Sequence, residues 1–141
     1  MIPPYLPLGT LEISPQYARA CRRMTAKNPP SDYEVLAGRA PKRGPWESAE
    51  IVYCRRSGMH QDRTWDQYVF ISAVVQTDHE LGFFDGKIVQ RVYLRPGDVF
   101  LLDPLAPHDV TGSDVLILIQ LVVPRNSWRE FAKNLGYGSA L

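Results

Sequence analysis

A chain of 141 residues, 45% hydrophobic and 22% charged, has the size and composition of one soluble globular domain, which excludes a disordered or fibrous polypeptide. Its 16 basic and 15 acidic residues leave a net charge of +1, so no chain-wide field gathers nucleic acid or anionic lipid, and neither is indicated as a partner. Cys21 and Cys54, the two cysteines, stand in no metal-ligand or redox spacing; they exclude a disulfide framework and read as small core residues of a protein in a reducing compartment.

The opening Met1-Ile2-Pro3-Pro4-Tyr5-Leu6-Pro7 lacks the basic end and long apolar run of a secretion signal, and no stretch approaches membrane-spanning length, so a cytoplasmic protein is expected. Ser14-Pro15 reads as a cap followed by proline at the first helical position. It opens a helix over Gln16-Tyr17-Ala18-Arg19-Ala20-Cys21-Arg22-Arg23-Met24 that ends by Asn28-Pro29-Pro30. Ser31-Asp32-Tyr33-Glu34 predicts a second short helix, its hydroxyl and carboxylate satisfying each other's free amides, with Gly38 closing it. From Arg39 to Ser48, the residues Pro41, Lys42, Arg43, Gly44 and Pro45 predict an exposed loop.

From Glu50 onward the pattern changes to β-branched and aromatic runs punctuated by turns. Strands are expected over Ile51 to Arg56, Tyr68 to Gln76 and Leu81 to Phe84. Asp85-Gly86 predicts a tight hairpin pairing Gly82-Phe83-Phe84 with Ile88-Val89-Gln90. Arg91 to Leu94, a Pro96-Gly97 turn and Val99 to Leu102 follow, then a proline-bounded loop to His108. Val115 to Val123 is apolar on both faces and is expected centrally between two layers, with Gln120 as its polar interruption. Ser127-Trp128-Arg129-Glu130 repeats the helix-start signal, and Gly136 closes a short helix. Phe70, Phe83, Phe84, Phe100 and Trp128 are expected in the core. The whole reads as one domain, with a helical part over 1–48, a β-barrel core over 49–124 and a C-terminal helix over 125–141.

Three histidines occur in the chain. His79, between Asp78 and Glu80, reads as a solvated turn residue. His60 and Asp62 are two apart, a spacing that points both to one face of an extended segment. His108 arrives after a strand and loop that a barrel can bring back beside them. Two imidazoles and a carboxylate on one side of a metal leave the other side open for substrate and oxygen, which suits non-haem iron.

The spacing His60-x-Asp62, then Pro96-Gly97-Asp98, the apolar Val99-Phe100-Leu101-Leu102-Asp103 and His108, resembles the iron(II)- and 2-oxoglutarate-dependent oxygenase family. The resemblance covers the region from Glu50 to Val123. It implies a double-stranded β-helix, a jelly-roll or cupin-like barrel, with His60, Asp62 and His108 as metal ligands and catalytic set. It also implies Fe(II) and 2-oxoglutarate as cofactors and hydroxylation of a small-molecule or macromolecular substrate. The chain departs from the family at Leu118, where many members carry a basic residue for the far carboxylate of the keto acid. Tyr53, Arg55, Tyr68, Ser72 and Gln120 are the alternative anchors, and Trp65, Arg63 and the Arg39-to-Gly44 loop the expected mouth. Two other readings stay open. Pro96-Gly97-Asp98 through Pro107-His108 also resembles a cupin strand, implying oxygen or isomerase chemistry without a keto acid. The missing anchor also fits a non-catalytic barrel serving as a binding module.

Overall fold

The computed structural model describes residues 2–42 and 46–141. Its elements run β1 (Tyr5–Thr10), α1 (Pro15–Lys27), β2 (Leu36–Arg39), β3 (Glu50–Cys54), β4 (Ser57–His60), β5 (Tyr68–Gln76), β6 (Glu80–Phe84), β7 (Val89–Tyr93), β8 (Asp98–Leu102), β9 (His108–Thr111), β10 (Leu116–Pro124) and α2 (Trp128–Asn134). No helix among the described residues is long and apolar enough to cross a membrane.

The pairing order defines the architecture. β6 pairs with β7, β5 with β8, β4 with β9 and β3 with β10, all antiparallel. The strands are therefore one long hairpin with its tip at 85–88, folded over so that β5 also meets β10 and β6 also meets β9. Two sheets result, β1-β8-β5-β10-β3-β2 and β4-β9-β6-β7. This nesting is a jelly roll, or double-stranded β-helix.

Apolar side chains on both faces of the larger sheet explain why it sits in the middle. Ile51, Ile71, Ile117 and Ile119 point to one core, shared with Tyr17 and Cys21 of α1 and Trp128 and Ala132 of α2. Phe70, Val74, Phe100 and Leu116 point to the other, where Leu81 and Val110 of the smaller sheet meet them. Each such fully buried aliphatic side chain contributes about 1.5–3 kcal/mol relative to exposure. β10 lies between β5 and β3 as its two-faced sequence predicts.

Local signals act where a tertiary partner agrees with them. Ser14 Oγ accepts from Tyr17 N at 3.1 Å, with Pro15 following, and α1 buries Tyr17, Cys21 and Thr25 along one stripe. At Ser31 the expected contact forms, Glu34 Oε1 accepting from Ser31 N at 3.2 Å, yet no helix follows. The next residues instead pair Leu36 to Tyr53 and Gly38 to Ile51 on the free edge of β3, so the first 48 residues hold one helix and two strands among those described. Residues 43–45 of the expected exposed loop, Arg43 and Gly44 included, lie outside the described residues. Ser127 caps nothing, because a 3-10 turn (Arg125–Ser127) runs straight into α2 and removes the extended geometry a cap needs.

The hairpin at Asp85-Gly86 is wider than expected. Phe84 pairs with Val89, and Asp85 N donates to Ile88 O at 3.1 Å, so four residues make the loop and Ile88 leaves the strand. Asp85 Oδ1 accepts from Lys87 N and Ile88 N at 2.8 and 3.0 Å, while Gly86 takes a φ of 100°. Phe84 lies partly exposed, unlike Phe70, Phe83, Phe100 and Trp128, which are buried.

Candidate metal centre

His60 and His108 are direct cross-strand partners on β4 and β9, so their rings rise from the same face with centroids 4.3 Å apart. Asp62 lies just past the end of β4, at the start of a 3-10 turn (Arg63–Trp65). Its Oδ1 stands 3.3 Å from His60 Nε2 and its Oδ2 3.3 Å from His108 Nε2. One donor atom from each of the three residues falls within 4.8 Å of the others.

The opposite ring nitrogens fix the chemistry. His60 Nδ1 lies 2.6 Å from Gly58 O, and His108 Nδ1 lies 2.7 Å from Ala106 O. A carbonyl only accepts, so Nδ1 carries a proton on both rings; Nε2 then donates to Asp62 when the ring is charged and offers its lone pair to a metal when the ring is neutral. Backbone carbonyls holding the far nitrogens are what orient metal-bound imidazoles. The donor set, two neutral nitrogens and one anionic oxygen, fits a divalent transition metal. Burial alone pushes the Asp62 carboxyl up, but hydrogen bonds from His108 and His60 outweigh it and hold the group well below the usual carboxylate range. The hydrogen bond to Asp62 raises His60, against an opposing effect of burial.

The loop over 103–107, between β8 and β9, holds the motif from outside. Asp62 N donates to Pro104 O at 2.8 Å, Gln61 Nε2 donates to Leu105 O at 2.7 Å, and Ala106 O takes His108. The variable middle residue of His60-Gln61-Asp62 thus tethers the segment. The base of this loop is clamped in turn. Asp103 accepts from Arg125 through both carboxylate oxygens, and Arg125 Nε also donates to Asp66 O at 2.8 Å. Arg125 touches none of the three candidate ligands; it holds the loop.

A cavity of about 260 Å³ opens between the two sheets beside the triad. Phe70, Phe100, Leu102, Leu118 and Val122 stand on the large-sheet wall, and Trp65 is among the lining residues, 40% exposed, edge-on to Phe70 and Tyr68. Of the expected anchors, Ser72 and Gln120 line the cavity. Tyr53, Arg55 and Tyr68 do not. On β3 the cavity-facing residues are Glu50, Val52 and Cys54, so alternation turns Tyr53 into the other core, where its hydroxyl donates to Asn28 O at 2.9 Å. Arg55 lies beyond the strand and borders a separate surface pocket with Arg22 and Gln76. Tyr68 is exposed, its ring edge-on to Trp65. Arg63 binds Gln61 Oε1 at 3.3 Å, outside the lining. His79 corrects its expectation as well: it is 1% exposed, and its Nε2 lies 2.7 Å from Arg55 O.

No protein-family model matches the chain, and no curated protein matches it. Among solved structures it is similar to the CENP-C cumin domain of Drosophila melanogaster, at 12% identity over 70% of this chain and 81% of that one, with a TM-score of 0.44. A variant of salicylate 1,2-dioxygenase from Pseudoaminobacter salicylatoxidans matches at 10% identity over 84% of this chain and 35% of that one, TM-score 0.45. A Cupin 2 conserved barrel domain protein from Salinispora arenicola matches at 19% identity over 89% and 99%, TM-score 0.41. Likenesses this distant say nothing of activity, and the nested strand order is what defines the fold. The chain is a cupin-like jelly roll. In this cupin-like barrel His60 and His108 sit on the smaller sheet, with Asp62 just past the end of β4, beside a largely apolar wall of the larger sheet.

Proposed function

We propose that this cupin-like barrel binds one divalent transition metal, iron(II) in the first place, through His60 Nε2, Asp62 and His108 Nε2, and uses it for oxidative chemistry on a small substrate in the adjoining cavity. The observation that carries the reading is the division of labour on the two rings, with each Nδ1 held by a backbone carbonyl and each Nε2 aimed at one Asp62 oxygen. Iron(II) held by His60, Asp62 and His108 would supply dioxygen activation. The chain's own residues do the rest. Asp62 balances the cation's charge, the two imidazoles stay neutral as donors, and the apolar walls exclude water from the reacting region.

The order His-x-Asp followed by a distal His favours a second reading, hydroxylation with 2-oxoglutarate as cosubstrate. Against it, no lysine or arginine is present among the described lining residues, so the far carboxylate of a keto acid would be buried without a counter-charge. Titration of the chelator-treated chain with iron(II) under anaerobic conditions should reveal a single site that His108→Ala abolishes. Oxygen consumption without succinate production supports the first reading, and succinate formed from 2-oxoglutarate supports the second. A wild-type chain that takes up no divalent metal, or a His108→Ala variant as fully loaded as wild type, removes the site.

A further inference from the structure

One row of side chains crosses the cavity wall against its apolar character. Cross-strand register aligns Arg39 with Glu50, Glu50 with Gln120, Gln120 with Ser72 and Ser72 with Phe100, so the row runs over β2, β3, β10, β5 and β8 on one face of the larger sheet. It is graded from outside to inside. Arg39 and Glu50 are exposed, Gln120 is half-buried, and Ser72 is 1% exposed. Glu50, Gln120 and Ser72 line the cavity, whereas Arg39 stands outside it.

Above and below the row the wall is apolar, Leu118 and Val122 flanking Gln120 on β10 and Phe70 preceding Ser72 on β5. A polar pair kept in such a wall needs partners. Ser72 Oγ donates to Gln120 Oε1 at 3.2 Å. That bond takes one of the amide oxygen's two lone pairs and leaves both Nε2 protons of Gln120 as donors for an acceptor in the cavity.

We infer that the Ser72–Gln120 pair is a recognition subsite for a neutral acceptor group, an amide, ester or ketone oxygen or a hydroxyl, carried on a mainly apolar molecule whose other end reaches the metal triad. The inference rests on the reading of this cavity as the substrate chamber. A carboxylate on Gln120 would lose its hydration in an apolar slot, find no cation among the described lining residues, and have Glu50 as its neighbour in the row. The same features reject dicarboxylates such as 2-oxoglutarate from this wall.

Two probes with one apolar body separate the cases. 3-Phenylpropanamide and 3-phenylpropanoate are titrated by calorimetry or ligand-detected NMR into the full chain after chelator treatment, so that no metal can draw the carboxylate to the triad. The amide should bind about tenfold tighter, the scale of one net hydrogen bond added to an avoided desolvation cost. Gln120→Leu should weaken the amide about tenfold and leave the carboxylate unchanged. Ser72→Ala, which frees Gln120 Oε1 without altering the wall's shape, should narrow the preference in the same direction. Iron(II) titration of the wild-type chain reads the triad separately from these metal-free measurements, so a failed metal site and a failed subsite give different results. Equal or tighter binding of the carboxylate, an undiminished amide affinity in Gln120→Leu, or no binding of either probe overturns the inference.

Discussion

A backbone carbonyl stands at one ring nitrogen of His60, His79 and His108 alike, and what the other nitrogen meets separates ligand from scaffold. In His79 the second nitrogen, Nδ1, accepts from Asp78 N at 3.2 Å beside the Thr77 hydroxyl, so no lone pair remains for a metal. The flanking acids made that residue read as solvated, and the sequence carries no sign of the distant carbonyl that buries it. Gly112 is its complement. A Cβ there would lie 2.5 Å from His79 Cδ2 and 2.8 Å from Asp78 Oδ1. Gly112→Ala should therefore cost about 1–3 kcal/mol of stability as an overpacked site, read by urea denaturation, with metal affinity unchanged. A wild-type midpoint in that variant would mean the ring has room to move. Burial likewise pushes the Cys54 thiol up to about 11. Although Cys54 lines the cavity, it should stay unmodified by iodoacetamide at neutral pH in the folded chain and react only on unfolding.

Among the elements, the loop over 103–107 has the most influence on the site, because it receives a hydrogen bond from each residue of the His60-to-Asp62 side that reaches it and orients His108 as well. Arg125 anchors that loop through Asp103 without touching a ligand. Arg125→Ala should weaken metal binding about tenfold, the usual effect of losing a group that orients ligands, while the His60-Asp62-His108 set stays complete. Calorimetry with zinc gives the comparison, and an affinity equal to wild type would reduce the clamp to a purely structural contact. How far the strands were legible follows from their chemistry. The Tyr68–Gln76 strand emerges as predicted and β10 within a residue at each end, because β-branched runs bounded by turns mark them. β4 and β9 carry the histidines yet lack such runs, Ser57-Gly58-Met59-His60 being strand only because β9 pairs with it. β1 hides for a similar reason, since Pro7 and Gly9 sit at an irregularity of an edge strand. Tyr53 faces away from the cavity as a matter of phase. Ile51, Val52, Tyr53 and Cys54 are all compatible with a buried surface, so alternation gives no indication of which face meets the cavity.

At the scale of the whole molecule, metal and pH act on the same contacts with opposite signs. In the metal-free chain the hydrogen bond to Asp62 raises His60, so its stabilisation is complete below about pH 6.5, the unperturbed value, and fades as pH rises through the folded value. Metal binding needs His60 Nε2 free of its proton, so it strengthens over that interval. The rise in melting temperature on adding metal should thus grow as the pH is taken from about 6 to about 8, bracketing the unperturbed histidine value. A shift independent of pH would place the ion away from His60. The cross-strand placement of the two histidines also governs when the ion can arrive and leave. They belong to opposite arms of the folded hairpin, so a bound cation ties together two points far apart along the chain and shortens the loop that unfolding would release. A ribosome that has made only the first arm has made half a binding site, and metal capture must wait for the return strand. A cation held by both histidines would lose a donor whenever those two strands part, which would couple its retention to the breathing of the barrel.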